Sequence, residues 1–251
     1  MDQDGYEHAV VSDAAYNFYE RGEEDAQREL DDFLEGYTID PEYSDDHAVT
    51  ILRPDGSAII GYRGTDPWNI YDIGADTLIL SGYHREKMNL LPYTRFQRAS
   101  DHYQRVAKQY DVKSVTGHSL GGSVADFVGR RYDTPAYAFN AGETPFEFAR
   151  FGLVEPSKTK LYTTGDDPIS VSGFAYKNHQ EIINVPKTVE GGYYYLDSHS
   201  RLNFLPQKRK KEVVTSPRVD RRSAPTVGQV ERDRREERLC RLYPELCPEG
   251  D

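Results

Sequence analysis

The sequence predicts an α/β fold in three layers, in which a mostly parallel sheet is flanked by helices on both faces. Three observations lead to this prediction. From residue 94 onward, helical and strand-like segments alternate along the chain. A Gly-x-Ser-x-Gly sequence around Ser119 separates a β-branched run from a helical run of small residues, which is typical of a sharp strand-to-helix turn. Ser119, Asn140 and Asp167 each follow a predicted strand, so we expect them at one edge of the sheet.

The first 62 residues predict two helices and a β-hairpin. Residues 12–21 form an amphipathic segment that Ser12 could cap, and residues 29–36 form a shorter helix that ends at a glycine. Residues 47–52 and 57–62 are rich in β-branched and apolar residues. The turn sequence Arg-Pro-Asp-Gly separates them, so we expect the two strands to pair as a hairpin.

The following elements carry the alternation of helices and strands. Residues 94–110 predict a helix because five apolar or aromatic positions recur at steps of three and four residues. The remaining predicted elements are a strand at 112–116, a helix at 120–132, strands at 136–140 and 160–164, and a late hairpin pairing 181–185 with 193–196 around Gly191 and Gly192.

Charge divides the chain into two parts. The 251 residues carry a formal net charge of -11, which disfavours general nucleic-acid binding. Residues 206–251 hold 12 basic and 9 acidic side chains, whereas residues 1–205 have a net charge of -14. We therefore expect a folded domain over 1–205 and a charged C-terminal tail over 206–251, with a short helix near 230–243.

Targeting signals are not evident in the sequence. The acidic first seven residues lack the basic and apolar parts of a secretory signal, and no apolar run is long enough to span a bilayer. These features favour a soluble protein, in the cytoplasm or within a larger assembly. Cys240 and Cys247 form a poor metal site; a local disulfide, two free thiols and pairing with another chain all stay open.

A serine at such a turn becomes a nucleophile only when a histidine, oriented by a carboxylate, removes its proton. Downstream of Ser119 the candidates for the base are His179 and His199, and the candidates for the acid are Asp166 and Asp167. The spacing disfavours His179, because few residues separate it from the acids.

Several segments resemble the class 3 lipase family, whose members have the α/β-hydrolase fold, and the resemblance covers roughly residues 10–205. The matching segments are Tyr-Arg-Gly-Thr at 62–65, Gly-His-Ser-Leu-Gly-Gly at 117–122, Gly-Asp-Asp-Pro-Ile at 165–169, the stretch 176–181, and Ser-His-Ser at 198–200. The first two segments are specific to the family, and the others match loosely.

The resemblance implies a role for each matching residue. Ser119 corresponds to the nucleophile, His199 to the base, and Asp167, which directly precedes Pro-Ile, to the acid that orients the base. Thr65 and the backbone N–H of Leu120 correspond to the oxyanion hole. The implied activity is hydrolysis of carboxylic esters of lipids through an acyl-enzyme intermediate, with no metal and no cofactor.

Other functions fit the same sequence. The chain could be a phospholipase, a lysophospholipase or a non-lipid esterase, because one scaffold serves all of these reactions. It could also be a catalytically silent binding protein docked through its tail. Residues 66–93 are either a lid that opens in transient contact with a lipid surface, or plain core. The basic run at 208–211 either attracts anionic headgroups or is a solvated charge run, and the tail could bind a protein partner.

Overall fold

A computed structural model of the chain describes residues 1–64, 95–142, 157–167, 170, 181–189 and 194–206. The strands are β1 (Thr38–Asp40), β2 (Ala48–Leu52), β3 (Ala58–Tyr62), β4 (Val112–His118), β5 (Ala136–Phe139), β6 (Thr159–Thr163) and β7 (Glu181–Asn184). The helices are α1 (Gln3–Arg21), α2 (Glu23–Asp31), α3 (Arg95–Ala107), α4 (Leu120–Tyr132), the short α5 (Tyr194–His199) and a 3₁₀ turn (Arg201–Phe204).

Several predictions concern residues outside this set. They are the oxyanion residue Thr65, the lid candidate 66–93, the alternative base His179, and the C-terminal tail with its basic run, its short helix and both cysteines. These predictions stand as they were made from the sequence.

The described strands form one mostly parallel sheet. Its spatial order follows the chain, from β1 to β7. Strands β1, β2 and β3 pair antiparallel, which confirms the predicted hairpin, and β3 through β7 pair parallel. Parallel pairing directs the carboxyl ends of β3 to β7 toward the same edge, where Ser119 follows β4 and Asn140 follows β5.

Helices cover both faces of this sheet, as the sequence predicts. Ile59 on β3 packs with α1 and α2 in one apolar cluster, whereas the next residue, Ile60, packs with α3 and α4 in another. Successive side chains of a strand point to opposite faces. The fold is therefore a three-layer α/β architecture of the α/β-hydrolase type.

Three of the predicted elements differ in the structure. The first helix begins at Gln3, because Asp2 caps it by accepting a hydrogen bond from the N–H of Gly5 at 3.0 Å, and Ser12 lies buried inside the helix. The late hairpin is wrong: β7 pairs parallel with β6, and residues 194–199 are helical. The helix predicted over 29–36 corresponds to α2, which ends at Asp31.

None of the described helices combines the length and the apolar composition that a bilayer span requires.

Candidate active site

Ser119 occupies a strained turn between β4 and α4. Its backbone has φ 58° and ψ -127°, a combination that residues other than glycine rarely adopt and that costs on the order of 1–3 kcal/mol. The amide of Ser119 donates to the carbonyl of Phe139 on β5 at 2.9 Å, and its carbonyl accepts from the amide of Gly122 at 2.9 Å. The turn is thereby tied to the neighbouring strand and to the first turn of α4.

Two glycines make this turn sterically feasible. A Cβ atom on Gly117 would collide with the backbone of Gly121, and a Cβ atom on Gly121 would collide with the carbonyl oxygen of Tyr62 on β3. The strand, the turn and the helix therefore approach more closely than any side chain allows. This contact explains the Gly-x-Ser-x-Gly sequence in physical terms.

Ser119, His199 and Asp167 form a hydrogen-bonded chain, although 80 residues separate the serine from the histidine. His199 Nε2 lies 2.8 Å from Ser119 Oγ, and His199 Nδ1 lies 2.9 Å from Asp167 Oδ1. All three residues are buried, with exposures of 2%, 3% and 0%. A proton on Nδ1, held by the carboxylate, leaves Nε2 free to accept the serine proton.

The two adjacent aspartates occupy different environments. Besides His199, Asp167 binds Ser170, whose backbone N–H (3.0 Å) and hydroxyl (2.6 Å) both donate to Oδ2. Asp166 is half-buried, and its Oδ2 lies 3.7 Å from Lys187 Nζ. Both carboxylate oxygens of Asp167 therefore have hydrogen-bond partners, and one of these partners is the imidazole of His199. Asp167, rather than Asp166, orients His199.

Polar side chains at the ends of neighbouring strands also hold the backbone before His199. The carbonyl of Ser198 accepts hydrogen bonds from Asn140 Nδ2 at 2.9 Å and from Thr164 Oγ1 at 2.6 Å. Asn140 follows β5 and has a positive φ of 43°, and Thr164 follows β6. The parallel strands thus hold the histidine segment through side chains at their carboxyl ends.

His118 forms a second support that the sequence did not indicate. Its Nε2 lies 2.7 Å from the carbonyl oxygen of His199, and its Nδ1 lies 3.2 Å from the hydroxyl of Tyr16 on α1. Burial, and then the nearby His199, lower the pKa of His118 well below its usual range, so the ring is neutral. A neutral imidazole that accepts a hydrogen bond from Tyr16 at Nδ1 carries its proton on Nε2. This N–H donates a hydrogen bond to the backbone carbonyl of His199.

One of the two predicted oxyanion donors lies in the described part of the chain. Leu120 is the first residue of α4, where backbone N–H groups have no partner within the helix and the helix dipole favours negative charge. Thr65 follows Gly64, and Gly64 packs so closely against the carbonyl of His118 that a Cβ atom there would collide with it. The end of β3 therefore lies beside the serine turn.

The structure brings together the predicted residues Ser119, Asp167, His199 and Leu120. Sequence reasoning missed the supporting residues Tyr16, His118 and Ser170. No local pattern marks them, since each acts through a residue placed beside it by folding.

The fold and this buried Asp–His–Ser chain define the class: an α/β-hydrolase-type protein with a serine at the nucleophile turn. No family model matches the chain. Three yeast proteins, each named "Putative lipase ATG15", are similar over short stretches. They come from Debaryomyces hansenii (42% identical over 65 residues), Scheffersomyces stipitis (33% over 103) and Vanderwaltozyma polyspora (36% over 72).

The matched stretches cover 24%, 39% and 28% of this chain, and 11%, 16% and 13% of the respective relatives. The chain therefore matches no more than about a sixth of the length of these relatives. Among solved structures, the Lip2 lipase of Yarrowia lipolytica is similar with a TM-score of 0.48 and 16% identity, over 79% of this chain and 84% of that one. The resemblance to a lipase-like family, inferred from the sequence, is confirmed by the named relatives.

Proposed function

We propose that this chain hydrolyses carboxylic esters of lipids through an acyl-enzyme intermediate. The observation that carries the proposal is the hydrogen-bonded chain from Asp167 through His199 to Ser119. This arrangement activates a serine hydroxyl at neutral pH. The lipid part of the proposal is supported by the relatives, which are named as lipases.

The first half of the reaction acylates the serine. Ser119 Oγ attacks the ester carbonyl carbon while His199 Nε2 takes the hydroxyl proton, and Asp167 stabilises the imidazolium that forms. The N–H of Leu120, together with Thr65, donates hydrogen bonds to the oxyanion. His199 then gives its proton to the alkoxide oxygen as the carbon–oxygen bond breaks, which releases the alcohol and leaves the acyl group on Ser119.

The second half regenerates the enzyme. A water molecule loses a proton to His199 Nε2 and attacks the acyl carbon, and the carboxylic acid leaves as Ser119 Oγ takes the proton back. The site is buried, so the hydrogen bonds to developing charge act in a medium of low dielectric constant. Loss of one oxyanion donor would raise the barrier by roughly 3 kcal/mol.

The decisive experiment compares the parent protein with Ser119→Ala on a panel of esters: a short-chain monomeric ester, a micellar triacylglycerol and phospholipid vesicles. The proposal predicts turnover by the parent and a loss of about 10⁶-fold in kcat in the variant, since Ser119 is the group that carries the acyl intermediate. Ser100→Ala, a serine on α3 that is as buried as Ser119, is the matched control and should keep full activity.

Labelling with a fluorophosphonate separates an active enzyme from a silent scaffold. The probe should label Ser119 in the parent and in Ser100→Ala, and not in Ser119→Ala. A parent that is folded but not labelled, and that cleaves no ester in the panel, would instead favour a binding protein that keeps the hydrolase scaffold.

A further inference from the structure

A cationic cavity lies on the α3 side of the sheet, apart from the catalytic chain. It has a volume of ≈ 350 Å³ and lies between the start of β2, the end of β3 and the length of α3, with Val124 of α4 on its wall. Its size is in the range of small-molecule sites. No residue of the Asp167–His199–Ser119 chain lines it.

Positive charge dominates the lining. Four arginines face two aspartates, Asp45 and Asp101, which leaves an excess of two positive charges in a chain whose formal net charge is -11. Burial, and then the nearby guanidinium of Arg63, lower the pKa of Arg95 to about 10. The repulsion between these like charges decreases when an anion binds between them.

Two of these arginines form no ion pair within the described part of the chain. Arg63 donates from Nε to the carbonyl of Asp46 at 2.7 Å and stacks its guanidinium 3.8 Å from the ring centre of Tyr19. Arg95 donates to the carbonyl of Arg63. Each guanidinium has five N–H donors, so both keep donors available for a ligand.

Two histidines of the lining offer unused ring nitrogens. His102, which is 5% exposed, places Nε2 2.8 Å from the carbonyl of Tyr43, so its proton lies on Nε2 and its Nδ1 is an acceptor. His47 accepts at Nε2 from Arg98 at 2.9 Å, so its Nδ1 carries the proton and is a donor. Both Nδ1 atoms are buried and, within the described structure, have no hydrogen-bond partner. Buried polar atoms without a partner are rare in proteins, and both of these belong to residues of the cavity lining.

We propose that this cavity binds a phosphate group. A tetrahedral phosphate can accept hydrogen bonds from several guanidinium groups of the lining at once. Arginine is suited to such multiple contacts, because its planar group pairs with two phosphate oxygens. A planar carboxylate has only two oxygens and would leave more of these groups unused.

The cavity is linked to the catalytic site through the end of β3. Arg95 binds the carbonyl of Arg63, and the next residue, Gly64, packs against His118 beside Ser119. A phosphate here is either a free ion or the headgroup phosphate of a lipid whose ester reaches Ser119. The second source rests on the proposed function, whereas binding of the phosphate itself does not.

The direct test is a calorimetric titration with inorganic phosphate at an ionic strength held constant with sodium chloride. Histidine ring signals are followed by NMR in the same titration. Saturable binding that shifts the signals of His47 and His102 is expected. Arg98→Gln should weaken binding about tenfold, the effect of one charged hydrogen bond. Arg105→Gln, also in the lining, is a second variant, and the exposed Arg131→Gln on α4 is the control that should bind like the parent.

Binding indistinguishable from that of chloride, or equally tight in the parent and in both lining variants, would overturn the phosphate site. The titration is repeated in Ser119→Ala, which should bind phosphate like the parent whatever the fate of the proposed ester hydrolysis.

A substrate comparison then identifies the source of the phosphate. The parent and Arg98→Gln are assayed on phosphatidylcholine and on a triacylglycerol with the same acyl chains, both in the same mixed micelles. A headgroup ligand predicts that the ratio of kcat/KM for phospholipid to that for triacylglycerol falls about tenfold in the variant. An unchanged ratio, with phosphate binding weakened, identifies free phosphate as the ligand, and both results support the site.

Discussion

At the residue scale, the proposed base His199 is held from three directions. Its ring nitrogens contact Asp167 and Ser119, its own carbonyl accepts from His118, and the carbonyl before it accepts from Asn140. A general base must stay within hydrogen-bond reach of the proton that it removes. The backbone contacts fix the position of the imidazole, and Asp167 fixes its orientation.

Tyr16 acts on this base through His118, and we expect it to be a positioning residue. Burial raises the pKa of Tyr16 to about 12, so it stays protonated and donates. In Tyr16→Phe, the hydrogen bond that holds the His118 tautomer is lost. We predict that kcat falls about tenfold with little change in KM, because a small displacement of the base slows the chemical step without changing substrate contacts.

Tyr103→Phe is the matched control for this prediction. It removes a buried hydroxyl that binds Thr134 Oγ1 at 2.6 Å, so it should lower stability by an amount similar to that of Tyr16→Phe, about 1–3 kcal/mol, but leave kcat unchanged. Kinetics of ester cleavage and urea unfolding measure the two effects. Equal kcat in both variants would show that Tyr16 is merely structural.

At the element scale, α4 carries the serine turn at its start and a buried ion pair in its interior. Arg130 donates from Nε to both oxygens of Asp126, at 3.0 and 2.9 Å. Asp126 Oδ1 also accepts from Ser157, at 3.2 Å, and from Thr159 at the start of β6. These contacts attach the helix to the strand that leads to Asp167.

Asp126→Asn should therefore destabilise the fold strongly. The change removes the carboxylate that pairs with Arg130, one of the most deeply buried side chains. We predict a loss of about 3–5 kcal/mol in the free energy of unfolding, measured by urea denaturation. The control is Asp133→Asn, which removes an exposed pair with Lys158 and should change stability by less than about 1 kcal/mol. Equal losses in the two variants would contradict the buried-pair argument.

The elements also show where prediction from sequence succeeds and where it fails. The unit β4–turn–α4 was predictable because each of its signals, the β-branched run, the glycines and the small helical residues, lies within about twenty residues. The prediction of a late hairpin was wrong. Strand β7 pairs with β6, from which a long connection separates it, and Gly191 and Gly192 precede a helix. Strand partners that are distant in sequence leave no local signal.

At the scale of the whole molecule, buried neutral histidines link stability to pH. His8 is 1% exposed, stacks on Tyr137 with ring centres 3.5 Å apart, and lies 2.7 Å from Ser114 Oγ. Burial lowers its pKa to about 4. The unfolded chain therefore binds this proton at a higher pH than the folded chain does.

The folded state should lose stability as the pH falls from about 6.5 toward 4, because protonation of His8 is easier in the unfolded state. The loss from His8 alone is on the order of 3 kcal/mol, and the stability is fully present above pH 6.5. Urea denaturation of the parent and of His8→Phe, at pH 7 and pH 4.5, measures it. The carboxylates near His8 are common to both proteins, so the difference in pH dependence belongs to His8. The same pH dependence in both would contradict the prediction.

The sequence by itself determined the order of the main elements, the glycine-flanked turn at Ser119 and a short set of candidate acids and bases. These follow from steric and hydrophobic patterns that operate over a few turns of chain. Only the tertiary structure decided that Asp167 rather than Asp166 contacts His199, that His118 supports His199, and that the start of β2, the end of β3 and α3 enclose a cationic cavity. Each of these depends on which side chains meet when distant strands pack side by side, and that packing is set by the whole hydrophobic core.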